Sequence, residues 1–72
     1  MTGWARFGDV IFPLSSVTSI SVKPTTGGKY YVEVDRYVGN YLVTNQTPAI
    51  DTKAEATQTA ERIAHGLYWE AA

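Results

Sequence analysis

The chain has 72 residues, six basic against seven acidic, with 44% hydrophobic content and no cysteine. That length allows one domain, 1–72, burying roughly 60% of its unfolded surface, and the lack of cysteine excludes disulfide staples and thiolate metal sites. The near-neutral charge, with no Lys/Arg cluster, leaves no electrostatic footprint for a polyanion, and no run approaches the roughly 20 apolar residues of a membrane span.

The apolar content and its patterning predict a folded domain, not a disordered tail. The N-terminus has no basic-then-apolar run of the signal-peptide kind, so the expected location is the cytoplasm. For so small a core, partner binding or oligomerisation is a natural source of further stability.

In chain order, Trp4–Phe12 is dense in apolar residues and predicts a first strand, with a possible break at Gly8-Asp9. Trp4 and Phe7 are expected to fold back onto the body as anchors. Pro13-Leu14-Ser15-Ser16 is a connector. Val17–Lys23 alternates as a half-buried strand, with Thr18, Ile20 and Val22 on one side and Val17, Ser19 and Ser21 on the other. Pro24–Gly28 turns the chain. Gly27-Gly28-Lys29 lacks the earlier Gly, the following Ser/Thr and the helix of a phosphate-binding loop, so it is read as a hairpin turn.

Residues 29–38 and 41–45 then predict two strands joined by Gly39-Asn40, which suits a type II′ turn. That turn places Val38 opposite Tyr41, Tyr37 opposite Leu42 and Arg36 opposite Val43. Alternation puts Tyr30, Val32, Val34, Val38, Tyr41 and Val43 on a core face, with Arg36 snorkelling at its edge. Tyr31, Glu33, Asp35, Tyr37, Leu42 and Thr44 occupy the other face. Asn45-Gln46-Thr47 matches a glycosylation sequon but is followed by Pro48 and carries no weight without secretion. Thr52-Lys53-Ala54-Glu55 fits a capping box that opens the one helix, about 52–69. Its apolar stripe is Ala56, Ala60, Ile63, Ala64 and Leu67. Gly66 could mark its end, but Leu67 continues the stripe, so the helix is expected to tolerate the glycine at a cost of about 1 kcal/mol.

The expected fold class is α+β: an antiparallel β-meander of three to four strands with one C-terminal helix packed on one face. The layout of PLSSVTSISV, a turn, KYYVEV, a second turn and DTKAEATQTAERIAHGL resembles small bacterial and phage proteins with a PH-like meander-plus-helix plan. The resemblance covers Pro13–Leu67. It implies a small interaction or assembly module, phage- or mobile-element-encoded, and transfers no functional residue.

Catalytic and metal chemistry is poorly supplied. His65, the single histidine, has only Glu61 beside it on the helix, short of the three or four ligands of a zinc site. Glu33 and Asp35 lie about 7 Å apart on one strand face, but nothing marks a pocket that would separate their acid and base roles. No catalytic, cofactor or metal residue is assigned, and the chain is expected not to be an enzyme. Tyr31 and Tyr37 could stack single-stranded nucleic acid, as sheet aromatics do, although Glu33 and Asp35 would repel phosphates. The preferred expectation is protein binding, or self-association as a homodimer, through an open sheet face whose contact residues are Tyr31, Glu33, Asp35, Tyr37 and Leu42. Tyr68-Trp69 offers either a second surface or packing against Trp4 or the sheet edge.

Overall fold

A computed structural model describes residues 3–70, so residues 1, 2, 71 and 72 of the expected span lie outside the description. The architecture is α+β. Strands β1 (Trp4–Phe7) and β2 (Val10–Pro13) form a two-stranded antiparallel hairpin. A short 3-10 turn, Leu14–Ser16, leads into β3 (Val17–Pro24), β4 (Tyr30–Val38) and β5 (Tyr41–Gln46), which pair as an antiparallel meander in that order. The helix α1 (Lys53–Ala64) packs on β3 and β4. No helix of the described residues is long and apolar enough to cross a membrane.

The core joins the two sheets and the helix. Ala5, Phe7, Phe12 and Leu14 come from the N-terminal part, Val32 and Val34 from β4, and Ala56 and Ile63 from α1. Val22 opposes Val32 and Ile20 opposes Val34 across the β3–β4 pair, and both pack onto this cluster. The small Ala56 lets the helix sit close to the sheet.

Four sequence expectations are corrected. The expected first strand is two strands, the break allowed for at Gly8-Asp9 being a full two-residue turn that brings Val10 back opposite Phe7. Phe7 is buried as expected, but Trp4 is 56% exposed, since the alternation that points Ala5 and Phe7 inward points Trp4 out. A bulge between Val17 and Ser19 inserts Thr18 as an extra residue. Val17 therefore opposes Arg36 and packs on the core, while Thr18 is exposed and donates its hydroxyl to the Asp35 carbonyl at 3.2 Å. The helix stops at Ala64 instead of running on to Trp69.

The helix termini explain the last point. Thr52 caps the N-terminus by accepting the Glu55 N–H at 3.1 Å. At the other end, the Leu67 N–H reaches the Arg62 carbonyl at 2.8 Å and the Gly66 N–H reaches the Ile63 carbonyl at 3.1 Å. That pair of bonds is a Schellman cap. Gly66, at φ 73°, supplies the left-handed residue it requires. The chain then reverses and lays residues 68–70 alongside β1. The Arg6 N–H donates to the Tyr68 carbonyl at 3.3 Å, and the Glu70 N–H to the Arg6 carbonyl at 2.9 Å, giving a parallel bridge. Tyr68 packs its ring 4.9 Å from that of Phe7.

The loop after β5 carries a buried polar residue. Thr47 continues the ladder by donating its N–H to the Val32 carbonyl at 3.0 Å. Its Oγ1 accepts the Val32 N–H at 2.9 Å, where a strand would offer a carbonyl, and donates to the Pro48 carbonyl at 3.1 Å. The hydroxyl thus lets the chain leave the sheet at Pro48 without stranding a buried donor. Thr47→Val keeps the volume and removes that acceptor. It should cost about 1–3 kcal/mol, read as a lowered urea midpoint with unchanged slope, whereas Thr47→Ser should lose less.

Burial, and then the 2.9 Å hydrogen bond to the Glu70 carboxylate with that group's charge, push the Tyr68 phenol well above its ordinary value, with Arg62 acting weakly the other way. The folded state therefore holds this proton more tightly than the unfolded state. The associated stability is fully present below the unfolded phenol pKa of about 10 and is lost as pH rises from there through the folded value. Thermal unfolding followed from neutral pH into this alkaline window should show Tyr68→Phe losing stability with a shallower pH slope than the wild type.

Candidate functional site

The end of the β4–β5 hairpin is where large apolar side chains reach solvent together. Val38 opposes Tyr41, Tyr37 opposes Leu42 and Arg36 opposes Val43, the register expected from a two-residue turn. Gly39 has φ 60° and Asn40 has none of the positive φ that a type I′ turn needs, so the turn is type II′ in form. Tyr37 is 54% exposed, Val38 48%, Tyr41 78% and Leu42 57%. Each cross-strand pair lies on a different face, so the hairpin end is apolar on both sides.

Val38 and Tyr41 were expected in the core, and this is a correction with a geometric cause. A strand of nine residues spans roughly 30 Å, whereas a helix of twelve spans roughly 18 Å. The helix lies over β3 and β4, and its buried residues meet Val32 and Val34. The core face holds through Val34 and then gives way at Arg36. Arg36 is half-buried. It donates Nε to Asn45 Oδ1 at 2.7 Å and lays its guanidinium 4.5 Å from the Phe12 ring centroid. It is thus held between β5 and β2, where a snorkelling side chain was expected, and its ring contact is worth about 0.5–2 kcal/mol. Beyond it neither the helix nor the N-terminal hairpin buries the sheet.

The expected contact residues share one face but do not form one patch. Tyr37 and Leu42 are directly opposed at the hairpin end. Tyr31 lies six residues back, roughly 20 Å along the strand, opposite Lys23 and half-buried. Glu33 and Asp35 stand between them in a polar stripe across the meander. Asp35 accepts the Ser19 hydroxyl at 3.0 Å and the Thr44 hydroxyl at 2.8 Å, and Glu33 accepts the Gln46 amide at 3.4 Å. The carboxylates therefore join β3, β4 and β5 through neutral donors on an open face. No cavity and no grouping of three or more His, Cys, Asp or Glu suited to a metal occurs among the described residues.

Sequence reasoning allowed Tyr68-Trp69 as a second surface but missed Trp4 and Ile11 as its exposed members. The outward face of the N-terminal hairpin carries Trp4 and Ile11. The bridge from the C-terminal segment adds Trp69, whose ring centroid lies 5.9 Å from the Arg6 guanidinium. Trp4, Ile11 and Trp69 are all at least half exposed. The residues were visible in the sequence, but the bridge that gathers them follows from the Gly66 cap, which an unbroken helix would have hidden.

Comparison with protein-family models, with curated proteins and with solved structures finds no match to this chain. Its functional reading therefore rests on its own geometry.

Proposed function

We propose that this chain is a small non-enzymatic protein-interaction module that binds through the outer sheet face and the end of the β4–β5 hairpin. The observation that carries the reading is the group of four exposed large side chains, Tyr37, Val38, Tyr41 and Leu42, at one end of the sheet. Exposed aromatics with a polar tip, beside fixed hydrogen-bonding groups, suit a protein contact: the rings supply area, and Glu33 and Asp35 form a polar margin. The layout resemblance to PH-like interaction modules points the same way.

A second copy of the chain is the first partner to test, because closed two-fold dimers are the commonest assemblies. Sedimentation equilibrium of the wild type is expected to show a concentration-dependent dimer. The double substitution Tyr37→Ser with Leu42→Ser should weaken it at least about tenfold, equivalent to about 1.4 kcal/mol. Both substitutions fall on exposed positions, so the fold should survive with a melting temperature lowered by about a few degrees for the lost cross-strand pair. A wild type that stays monomeric at every accessible concentration removes the self-association version.

A further inference from the structure

The two edges of the meander differ, and the difference is informative. A sheet edge presents unpaired N–H and C=O groups to any passing strand, and proteins guard such edges with bulges, lysine, proline or inward-pointing charge. The β3 edge has a bulge at Val17–Ser19 and carries Lys23 and Pro24. The β5 edge, Tyr41-Leu42-Val43-Thr44-Asn45-Gln46, has none of these and no charge at all.

The hydrogen-bond parity of β5 follows from its turn. In a two-residue hairpin the residues flanking the turn form a hydrogen-bonded pair, and bonded and non-bonded pairs alternate from there. Tyr41, Val43 and Asn45 thus aim their backbone groups at β4, and the bond from the Thr47 N–H to the Val32 carbonyl continues that series. Leu42, Thr44 and Gln46 aim their N–H and C=O groups outward, along the free edge.

We infer that β5 pairs antiparallel with β5 of a second copy, joining two meanders into one six-stranded sheet across a two-fold axis at Thr44. This rests on the interaction reading and names its partner, but the docking groups are backbone atoms of the edge. The Thr44-centred register uses all three outward-facing residues of each copy. It sets Thr44 opposite the partner's Thr44, Leu42 opposite the partner's Gln46, and Val43 opposite the partner's Asn45. No like charges meet in any of these pairs, and a Thr–Thr pair is a favourable cross-strand neighbour. The same arrangement on the β3 edge would bring in Lys23 and a kinked backbone. Charge therefore favours the β5 join for two identical strands. A six-residue edge spans roughly 20 Å, so the interface is small and the dimer concentration-dependent.

Amide hydrogen exchange tests this on the unmodified chain. From dilute to near-millimolar concentration, exchange at the Leu42, Thr44 and Gln46 amides should slow about tenfold or more, while Val43 and Asn45, already bonded to β4, should change little. Thr44→Pro removes an outward N–H at an edge position where proline is tolerated. It should abolish the dimer seen in sedimentation, whereas Thr44→Val, which loses only the hydroxyl, should retain it. Far-ultraviolet circular dichroism reports whether both variants fold. A wild-type dimer that dissolves in the Tyr37→Ser, Leu42→Ser protein while the three amides exchange unprotected overturns the edge and leaves the face reading standing. A wild type without concentration-dependent protection at these amides overturns it as well, including when the edge proves to take a different protein's strand.

Discussion

The parity of β4 governs this molecule. Val32 and Val34 have no solvent exposure and lie in one cluster with Ala56 and Ile63. Two side chains on one face of the central strand decide which way every other side chain of the meander points, because β4 is paired on both sides. A slip of one residue would place Glu33 and Asp35 under the helix, two carboxylates in a space that offers no partner. The same parity sets the backbone. Since side chains and hydrogen-bonding directions both alternate with period two, the residues of β5 that share a face with the core also spend their backbone groups on β4. Those on the polar face leave theirs at the free edge.

The shortness of the helix follows from a competition at its C-terminus. Carried through Gly66 to Trp69, it would have placed Leu67 on the apolar stripe but left β1 with an uncovered edge. The Schellman cap ends it instead. Tyr68 then reaches Phe7, and the bridge to Arg6 covers that edge. The exchange leaves Leu67 exposed and draws Tyr68 toward the core. It also confines the helix to twelve residues, which cannot reach the far end of a nine-residue strand. The anchored C-terminal segment is the direct result of that one glycine.

Much of this was legible in the sequence, and the failures share a physical character. The meander, its turn at Gly39-Asn40, the β4–β5 register, the burial of Val32 and Val34 and the cap at Thr52 follow from local periodicity and turn chemistry. Tyr31, Glu33, Asp35, Tyr37 and Leu42 do share a face. What escaped were features decided by tertiary competition. The bulge at Thr18 exchanges the roles of two adjacent residues that both suit a strand. Gly66 satisfies a helix stripe and a helix stop equally well on paper. Val38 and Tyr41 have the right parity for the core but lie past the reach of the element that would cover them. Thr47 looked like part of an irrelevant sequon, because nothing local announces a hydroxyl standing in for a backbone carbonyl.

The apolar hairpin end has a competing explanation in folding itself. Tyr, Val and Leu favour strands, and the Tyr37–Leu42 and Val38–Tyr41 pairs can each contribute about 0.2–1 kcal/mol to hairpin stability without a partner. That account explains the strand-forming character of these residues better than their size. Thr44, on the same strand, shows the alternative: a β-branched residue that also holds Asp35 by a hydrogen bond. Threonines at the tip would have given comparable propensity without large apolar side chains half or more in water. A hairpin meant only to reverse the chain gains little from Tyr41 at 78% exposure, whereas a contact surface gains a wide ring with a hydrogen-bonding tip. The same comparison applies one step inward, where a β5 edge without charge, bulge or proline lies next to that tip. Side-chain and backbone features of this part of the sheet would both suit an incoming surface, which is what the proposed interaction asks of them and what local folding alone does not.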